Sequence, residues 1–318
     1  MPVSRRVLLA ALAVPALAQA QSTRPLRVVV PFGVGGLTDV VARILAEYIG
    51  PALGRVVVIE NQGGAGSTIG AATAARAAPD GNTIMVGSVG HSAMKALYAN
   101  FPFDPIASFA PVALPTRQPF ALVVHPSVPA TDVPSFLAWL RQKNGEANLG
   151  TAGIGATSHL SAELLRKLAG VAFTVVPYRT TPQGVSDLVA GRVDFMVDSQ
   201  TLVGPLMADG RVRGLAVTTA VRSSMLPHLP TLAEAGVPGY ESSAWNGVYA
   251  PAGTPEALIA PIAAAIAAAV KDPATKARLG SAGVDVFEDT SPAALAAHLR
   301  VEVAKWGGLV RELNIRGG

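Results

Sequence analysis

The stretch Arg27-Val28-Val29-Val30-Pro31-Phe32-Gly33-Val34-Gly35-Gly36-Leu37-Thr38-Asp39-Val40-Val41 reads as strand, loop and helix in immediate succession. Arg27 to Pro31 carries the β-branched run of a buried strand. Val40, Val41, Ile44, Leu45 and Tyr48 then recur at helical spacing, and Gly50-Pro51 is expected to end that helix. A glycine-rich loop joins the two. Strand, tight loop and helix in this order build a parallel sheet with helices on both faces.

The same alternation extends outward from this unit. Val56 to Glu60 is the next strand, a helix follows over about Ser67 to Ala77, and Thr83 to Ser88 is a third strand. Phe120 to Val124 reads as a strand crossing into a second lobe. Beyond it the spacing predicts helix Val133 to Lys143, strand Asn148 to Thr151 and helix Ser158 to Ala169. Strand Phe173 to Tyr178, helix Pro182 to Ala190 and strands Val193 to Val197 and Gly214 to Thr218 follow. Pro227 to Tyr240 is a Pro/Gly-rich link, and Trp245 to Ala250 is a strand that crosses back. Helices are expected over Pro255 to Lys271, Pro273 to Ala282 and Pro292 to Leu313, each with proline where no backbone donor is needed. The expected organisation is a two-lobed α/β protein. Residues 25–121 plus 248–318 form a discontinuous first lobe and 122–247 the second, with a ligand cleft between them.

Three glycine-rich loops follow strands and precede helices. The first runs from Phe32 through Gly33, Gly35 and Gly36 to Asp39. The second includes Gly64 and Ala65. The third runs from Thr151 and Ala152 through Gly155 to Thr157 and His159. Glycine admits a ligand to the backbone, and a helix start offers unpaired N–H groups with partial positive charge. Such loops bind anions without arginine or lysine.

Other chemistries fit less well. Gly33-Val34-Gly35-Gly36-Leu37-Thr38 approaches a dinucleotide fingerprint but has Thr38 in the place of its third glycine. Val86-Gly87-Ser88-Val89-Gly90 lacks the first glycine of a nucleophile elbow. His159 and Glu163 share a helix face, yet no third metal ligand is evident. With no cysteine in the chain, disulfides, thiol nucleophiles and thiolate metal sites are excluded. No catalytic constellation, metal or cofactor is expected.

Hydrophobic residues make up 50% of the 318-residue chain and charged residues 14%, as in a compact globular protein. The formal charge is +4; without Arg5 and Arg6, Lys+Arg falls from 25 to 23 against 21 Asp+Glu, leaving +2. There is no basic tract interleaved with aromatics, so nucleic acid is not an expected partner. Arg5 and Arg6 precede an apolar run from Val7 to Ala18, and small residues stand at Ala16, Ala18 and Ala20. This is the pattern of a cleaved signal peptide over residues 1–20, of either the general secretory or the twin-arginine type. Leu258 to Val270, the other long apolar stretch, has the length of one core helix, and a soluble mature chain is expected.

The loops and their neighbours resemble the solute-binding proteins of tripartite tricarboxylate transporters, the Bug family. The marks are Pro31 to Gly36 with Asp39; Glu60-Asn61 with Gly64-Ala65-Gly66 and Ile69-Gly70; Pro79-Asp80-Gly81; and Thr151 through Gly155 to His159-Leu160 with Glu163-Leu164. Val176-Pro177-Tyr178-Arg179, Asp187-Leu188 with Gly191, Val193 and Asp194, and Pro230-Thr231-Leu232 with Glu234 and Gly236 follow. Trp245, Gly247 and Pro251 to Pro255 complete them. The resemblance implies a periplasmic binding-protein type II, or Venus flytrap, fold that captures a small carboxylate for membrane permease subunits. The ligand could be a di- or tricarboxylate, an amino acid or an aromatic acid. The carboxylate would lie between the Phe32–Gly36 and Thr151–Thr157 loops. Asp39 would orient its loop, and Ser88 would add a contact. Asp198 would meet a ligand amine or hydroxyl, or cap the next helix. Tyr178 and Trp245 would wall the cleft or simply pack. A monomer is expected, since cleft closure needs no second chain. Val34, Ala152, Thr180 and Ser67 depart from the family pattern, in or near the ligand loops.

Exported protein should begin just after Ala18 or Ala20 when its N-terminus is sequenced. Protein that keeps Met1 and never reaches the periplasm would refute export.

Overall fold

The computed structural model describes residues 24–64, 67–98, 103–178, 180–223 and 225–316. The expected signal segment and Ala65 lie outside the described residues. In chain order the elements are β1 (Leu26–Val30), α1 (Leu37–Leu53), β2 (Val57–Asn61), α2 (Thr68–Ala75), β3 (Thr83–Ser88), α3 (Val89–Leu97), β4 (Phe109–Gln118), β5 (Phe120–Val124), α4 (Val133–Lys143), β6 (Asn148–Thr151) and α5 (Thr157–Ala169). They continue with β7 (Thr174–Pro177), α6 (Thr181–Val189), β8 (Phe195–Ser199), α7 (Gln200–Ala208), β9 (Arg213–Val217), β10 (Ala244–Pro251), α8 (Glu256–Ala269), α9 (Pro273–Ser281), β11 (Asp285–Val286) and α10 (Pro292–Glu312).

Two sheets result. One has the order β11-β4-β10-β3-β1-β2, the other β7-β6-β8-β5-β9. Strands β1, β2 and β3 run parallel, as do β6, β7 and β8. The parallel arrangement expected from the alternation holds in these units and becomes mixed at the crossings. β10 is antiparallel to β3 and β4, and β5 is antiparallel to β8 and β9. Each of these strands enters its sheet from the other lobe, so it runs against the strands already there.

The crossings fix how the lobes face each other. Gln118, the last residue of β4, pairs with Ala244, the first of β10. After Pro119 the chain enters β5, whose first residue Phe120 pairs with Ser199 at the end of β8. The C-terminal edges of β3 and β8 therefore both lie beside the crossing. Every βα loop of the two parallel units opens toward that junction.

Several elements depart from the periodicity. Helix α1 runs through Pro51 and stops at Gly54, which takes φ 60°. Proline in the last turn removes only one backbone bond there, so Gly50-Pro51 does not end the helix. Strand β4 went unread because Pro111 and Pro115 interrupt it. The β4–β10 pairing shifts register between Asn246 and Val248 and between Val248 and Tyr249, and such bulges accommodate residues without an N–H. Helices α3 and α7 follow strands with no intervening loop, and this hid them. β8 lies two residues beyond its expected place, so Asp198 sits inside the strand. Among the described residues no single helix is long and apolar enough to cross a membrane.

Helices α1, α8 and α9 cover one face of the first sheet, burying Val41, Leu45, Ile262 and Ile266. A second core holds α3 and α10 on the other face and continues into the second lobe through Tyr240, Leu160 and Phe136. At its centre Glu302, 6% exposed, accepts the indole N–H of Trp245 at 2.8 Å and of Trp306 at 2.6 Å. Trp245 lies on the returning strand β10, so this carboxylate ties the crossing to α10. Trp245 is 1% exposed and packs in the core.

Glu302→Ala would leave two buried indole donors without a partner, at about 1–3 kcal/mol each. The expected loss is about 2–5 kcal/mol in chemical denaturation, with Glu302→Gln costing less because it keeps an acceptor. A loss under about 0.5 kcal/mol, the range of ordinary surface substitutions, would remove Glu302 from this role.

Candidate functional site

Among the described residues six helices begin at the C-terminal edges of parallel strands: α1, α2 and α3 in the first lobe, α5, α6 and α7 in the second. The N-cap residues of α1, α3, α5, α6 and α7 make no side-chain capping bond. Away from these edges, α4, α9 and α10 are capped by Asp132, Asp272 and Ser291. A helix start leaves its first N–H groups without intrahelical partners. Side chains serve those groups in these three outlying helices, whereas α8 starts uncapped at Pro255. At the junction no N-cap side chain serves the five helix starts, and the first N–H of α7 goes to the Pro119 carbonyl at 3.4 Å.

The two principal loops are the same structure built twice. In the first, Gly33-Val34-Gly35-Gly36 forms a turn in which Gly36 N–H reaches the Gly33 carbonyl at 3.4 Å. In the second, Gly153-Ile154-Gly155-Ala156 does the same at 3.3 Å. Gly35 and Gly155 both take φ +81°, the third position of a type II turn, where a side chain is strained. The N-caps that follow, Gly36 and Ala156, have ψ 160° and 158°.

The residue four places after each of these glycines folds back to hold the turn. Asp39 Oδ2 accepts the Gly35 N–H at 2.8 Å, and His159 Nδ1 accepts the Gly155 N–H at 3.2 Å. Asp39 is 1% exposed, is paired in charge with Arg43 Nε at 3.0 Å and accepts the Asn61 Nδ2 hydrogen bond at 3.0 Å. Burial pushes its carboxyl up, but the bonds from Arg43, Gly35 and Asn61 outweigh burial and hold it below the ordinary aspartate value. His159 must be neutral with the proton on Nε2 to accept through Nδ1. Burial, with Arg166 nearby, lowers its pKa to about 4. Its Nε2 lies 3.6 Å from Glu163, which pairs with Arg166. His159 and Glu163 thus form a cap and its support.

The remaining predicted residues divide between the loops and the interior. Asn61 donates to the Phe32 carbonyl at 3.2 Å, and Gly63 packs on Phe32 and Gly33, which brings Gly64 to the first turn. Ser88 is the N-cap of α3 and pairs in register with Asn246 of β10. Thr151 is fully buried, its hydroxyl 2.8 Å from Ser158 Oγ, which also accepts the Ala152 N–H at 3.2 Å. Thr157 opens α5 and is half-buried. Tyr178 donates its hydroxyl to Asp187 at 2.8 Å, and burial, with that bond, pushes its pKa up to about 12. Its polar end is therefore engaged within its own lobe. Asp198 is buried and is not the N-cap of α7, which is Ser199; its Oδ1 accepts the Ser199 N–H at 2.7 Å.

Two residues went unnoticed in the sequence. Ser158 clasps the second loop. Asn246 accepts from Thr116 at 3.1 Å and donates to Thr38 at 3.2 Å and to the Gly87 carbonyl at 3.3 Å, joining β10 to α1 and β3. Position on a crossing strand was the only available signal for Asn246. Between the lobes, a side-chain carbon at Gly155 would lie 2.6 Å from Leu97 Cδ1, so Leu97 would have to shift, and the φ of +81° itself favours glycine there.

A two-lobed fold with paired, open helix starts around one junction defines a solute-binding receptor. Residues 41–315 match the tripartite tricarboxylate transporter family receptor model, and the chain belongs to that family. Protein BugT of Bordetella pertussis is 31% identical over 96% of this chain and 94% of its own. The structure of R. palustris Rpa4515 with adipate aligns with TM-score 0.81 and 36% identity, covering 91% of this chain and 97% of that one. MatC from Rhodopseudomonas palustris with bound malate aligns with TM-score 0.80 and 36% identity over 91% and 99%.

The imidazoles give the fold a pH dependence. His91 is fully enclosed, its Nε2 2.8 Å from the Pro105 carbonyl, and burial lowers its pKa to about 4, like that of His159. Unfolded histidine takes a proton below its ordinary value of 6.5, whereas these two stay neutral until about 4. Each histidine's contribution is present above about 6.5 and falls by roughly 1 kcal/mol per pH unit as pH drops toward 4. The buried Asp198 carboxyl, raised to about 7, opposes it by about the same amount, so the net fall is roughly 1 kcal/mol per pH unit. Denaturation series across this window should show that slope, and His159→Gln should flatten it. An identical slope in the variant would remove His159 from the account.

Proposed function

We propose that the cleft between the lobes binds the carboxylate of a small organic acid in the periplasm, and that the loaded receptor delivers it to membrane permease subunits of a tripartite transporter. The observation that carries this reading is the pair of matching turns on opposing lobes, each held by its own side chain while the helix start behind it stays uncapped. Backbone donors and helix dipoles then face one anion from two sides. Neither turn contains a lysine or arginine, and Arg43 is committed to Asp39 and Asn61.

In this reading Phe32 to Gly36 and Ala152 to Thr157 are the contact segments, with Gly64, Ala65 and Ser88 alongside. Asp39 and His159 act through the turns they hold. The bound malate and adipate of the two R. palustris proteins support an acid as cargo. The family's periplasmic setting agrees with the N-terminal export pattern. Nothing in the site supplies a nucleophile beside a base, so binding and release, without turnover, is the activity assigned.

A ligand at 100 times its Kd stabilises by about 2.7 kcal/mol. Mature protein, refolded to remove carried ligand, should show a thermal shift with one chemical group of acids. Gly35→Val, opposed by the +81° backbone, should abolish that shift while the variant remains folded by circular dichroism. No shift with any carboxylate in folded, empty protein would overturn the reading.

A further inference from the structure

The C-terminal end of β8 holds polar atoms that the fold itself does not use. Asp198 is 4% exposed. Its Oδ1 accepts the Ser199 N–H at 2.7 Å, while its Oδ2 is buried with no partner. A buried acceptor without a donor costs free energy that a fold does not normally leave uncompensated. No arginine or lysine pairs with this carboxyl among the described residues, and burial pushes its pKa up to about 7. Two residues on, Gln200 is 1% exposed; its Oε1 accepts from Ser223 at 2.6 Å and its Nε2 is likewise unpartnered.

Register places Asp198 at the cleft. β6 and β8 are parallel, with Leu149 beside Phe195 and Gly150 beside Met196. Two further steps bring Ala152, in the second glycine loop, abreast of Asp198. On the other side Asp198 pairs with Ala121, next to the lobe crossing at Phe120. The carboxyl therefore stands at the sheet edge beside the loop assigned to the ligand carboxylate. Its unused oxygen is an acceptor, unlike the donors of the turns. A carboxylate ligand has no hydrogen-bond donor of its own; a hydroxyl or ammonium group does.

We propose that Asp198 is the specificity-determining residue of this site, selecting acids that carry a hydroxyl or ammonium donor close to the carboxylate held by the glycine turns. The inference rests on the carboxylate-receptor reading and extends it. The glycine turns hold the acid, and Asp198 distinguishes a hydroxy or amino acid from the bare acid of the same skeleton. The hydroxyl and the ammonium differ in charge, so replacing the carboxylate by an amide separates them. An amide oxygen still accepts from a hydroxyl but offers no charge to an ammonium.

The test is calorimetric titration of the refolded mature protein with matched triplets: succinate, malate and aspartate; glutarate, 2-hydroxyglutarate and glutamate; propionate, lactate and alanine; phenylacetate, mandelate and phenylglycine. In at least one triplet a donor-bearing acid should bind roughly tenfold or more tighter than the bare acid. Asp198→Ala should erase that preference while leaving the bare acid's affinity within about threefold. Asp198→Asn should retain the preference if the donor is a hydroxyl and lose it if the donor is an ammonium. Equal affinity for bare and donor-bearing acids in the wild type would overturn the proposal and leave the carboxylate reading intact. A uniform loss of all acids in both Asp198 variants, with their melting unchanged, would also overturn it by showing a role in shaping the loop. Failure to bind any acid would overturn both readings together.

Discussion

A backbone N–H can serve a ligand only when the turn that presents it is held by something else. This constraint governs both glycine loops. A type II turn before a helix would ordinarily relax by closing its own donors or by capping them with a nearby serine or aspartate. Here the holding side chain is the third residue of the helix, where Asp39 or His159 reaches back to a single N–H, that of Gly35 or Gly155. The turn is fixed at one bond, and the helix start is left uncapped. The two lobes meet the same need with different chemistry. The carboxylate is balanced by Arg43 and Asn61, and the imidazole is kept neutral by burial. In each case the capping group adds no net charge that would repel or trap an anion.

Topology decides that these loops meet. A single sheet would spread its βα loops along one edge. Because β4 runs into β5 at the point where β8 ends and β10 begins, the C-terminal edges of both sheets come to one junction. The core continues through this junction by way of Trp245, Tyr240 and Trp306, anchored on Glu302. Lobe pairing on that side is held by burial, whereas on the loop side the polar groups bond within their own lobe and Leu97 of the first lobe approaches Gly155 of the second. This asymmetry is what a hinged receptor requires: a stiff back and a front whose contacts a ligand can complete.

Much of this was legible in the sequence. The apolar runs of β1, β3 and β5 and the spacing in α1 carry strong periodic signals, and the three glycine loops announced themselves by composition. The failures have physical causes. Strand β4 contains Pro111 and Pro115, and the bulges that accommodate them exist only once β10 has paired. Helices α3 and α7 follow β3 and β8 without a breaking residue, so the change of period has no punctuation. His159 read as a ligand contact or half of a metal pair, because nothing in the chain indicates that its ring turns back to Gly155. The roles of Ser158 and Asn246 depend on neighbours far away in sequence, and local pattern does not reveal them.

The electrostatic balance of the site bears on release as well as capture. A lysine or arginine in the cleft would bind an anion through a full charge and would have to be desolvated in both the empty and the loaded receptor. Helix starts provide partial charges that are already oriented and need no counter-ion. A ligand biases lobe closure only through contacts that differ between the open and closed forms. In the proposed site, donors divided between Gly33–Thr38 and Gly153–Ser158 would meet this condition, since one lobe alone would supply half of them. The close approach of Leu97 to Gly155 adds a contact between the lobes. On the proposed reading affinity would be a property of the closed pair of lobes, and opening them would be enough to weaken the hold on the cargo.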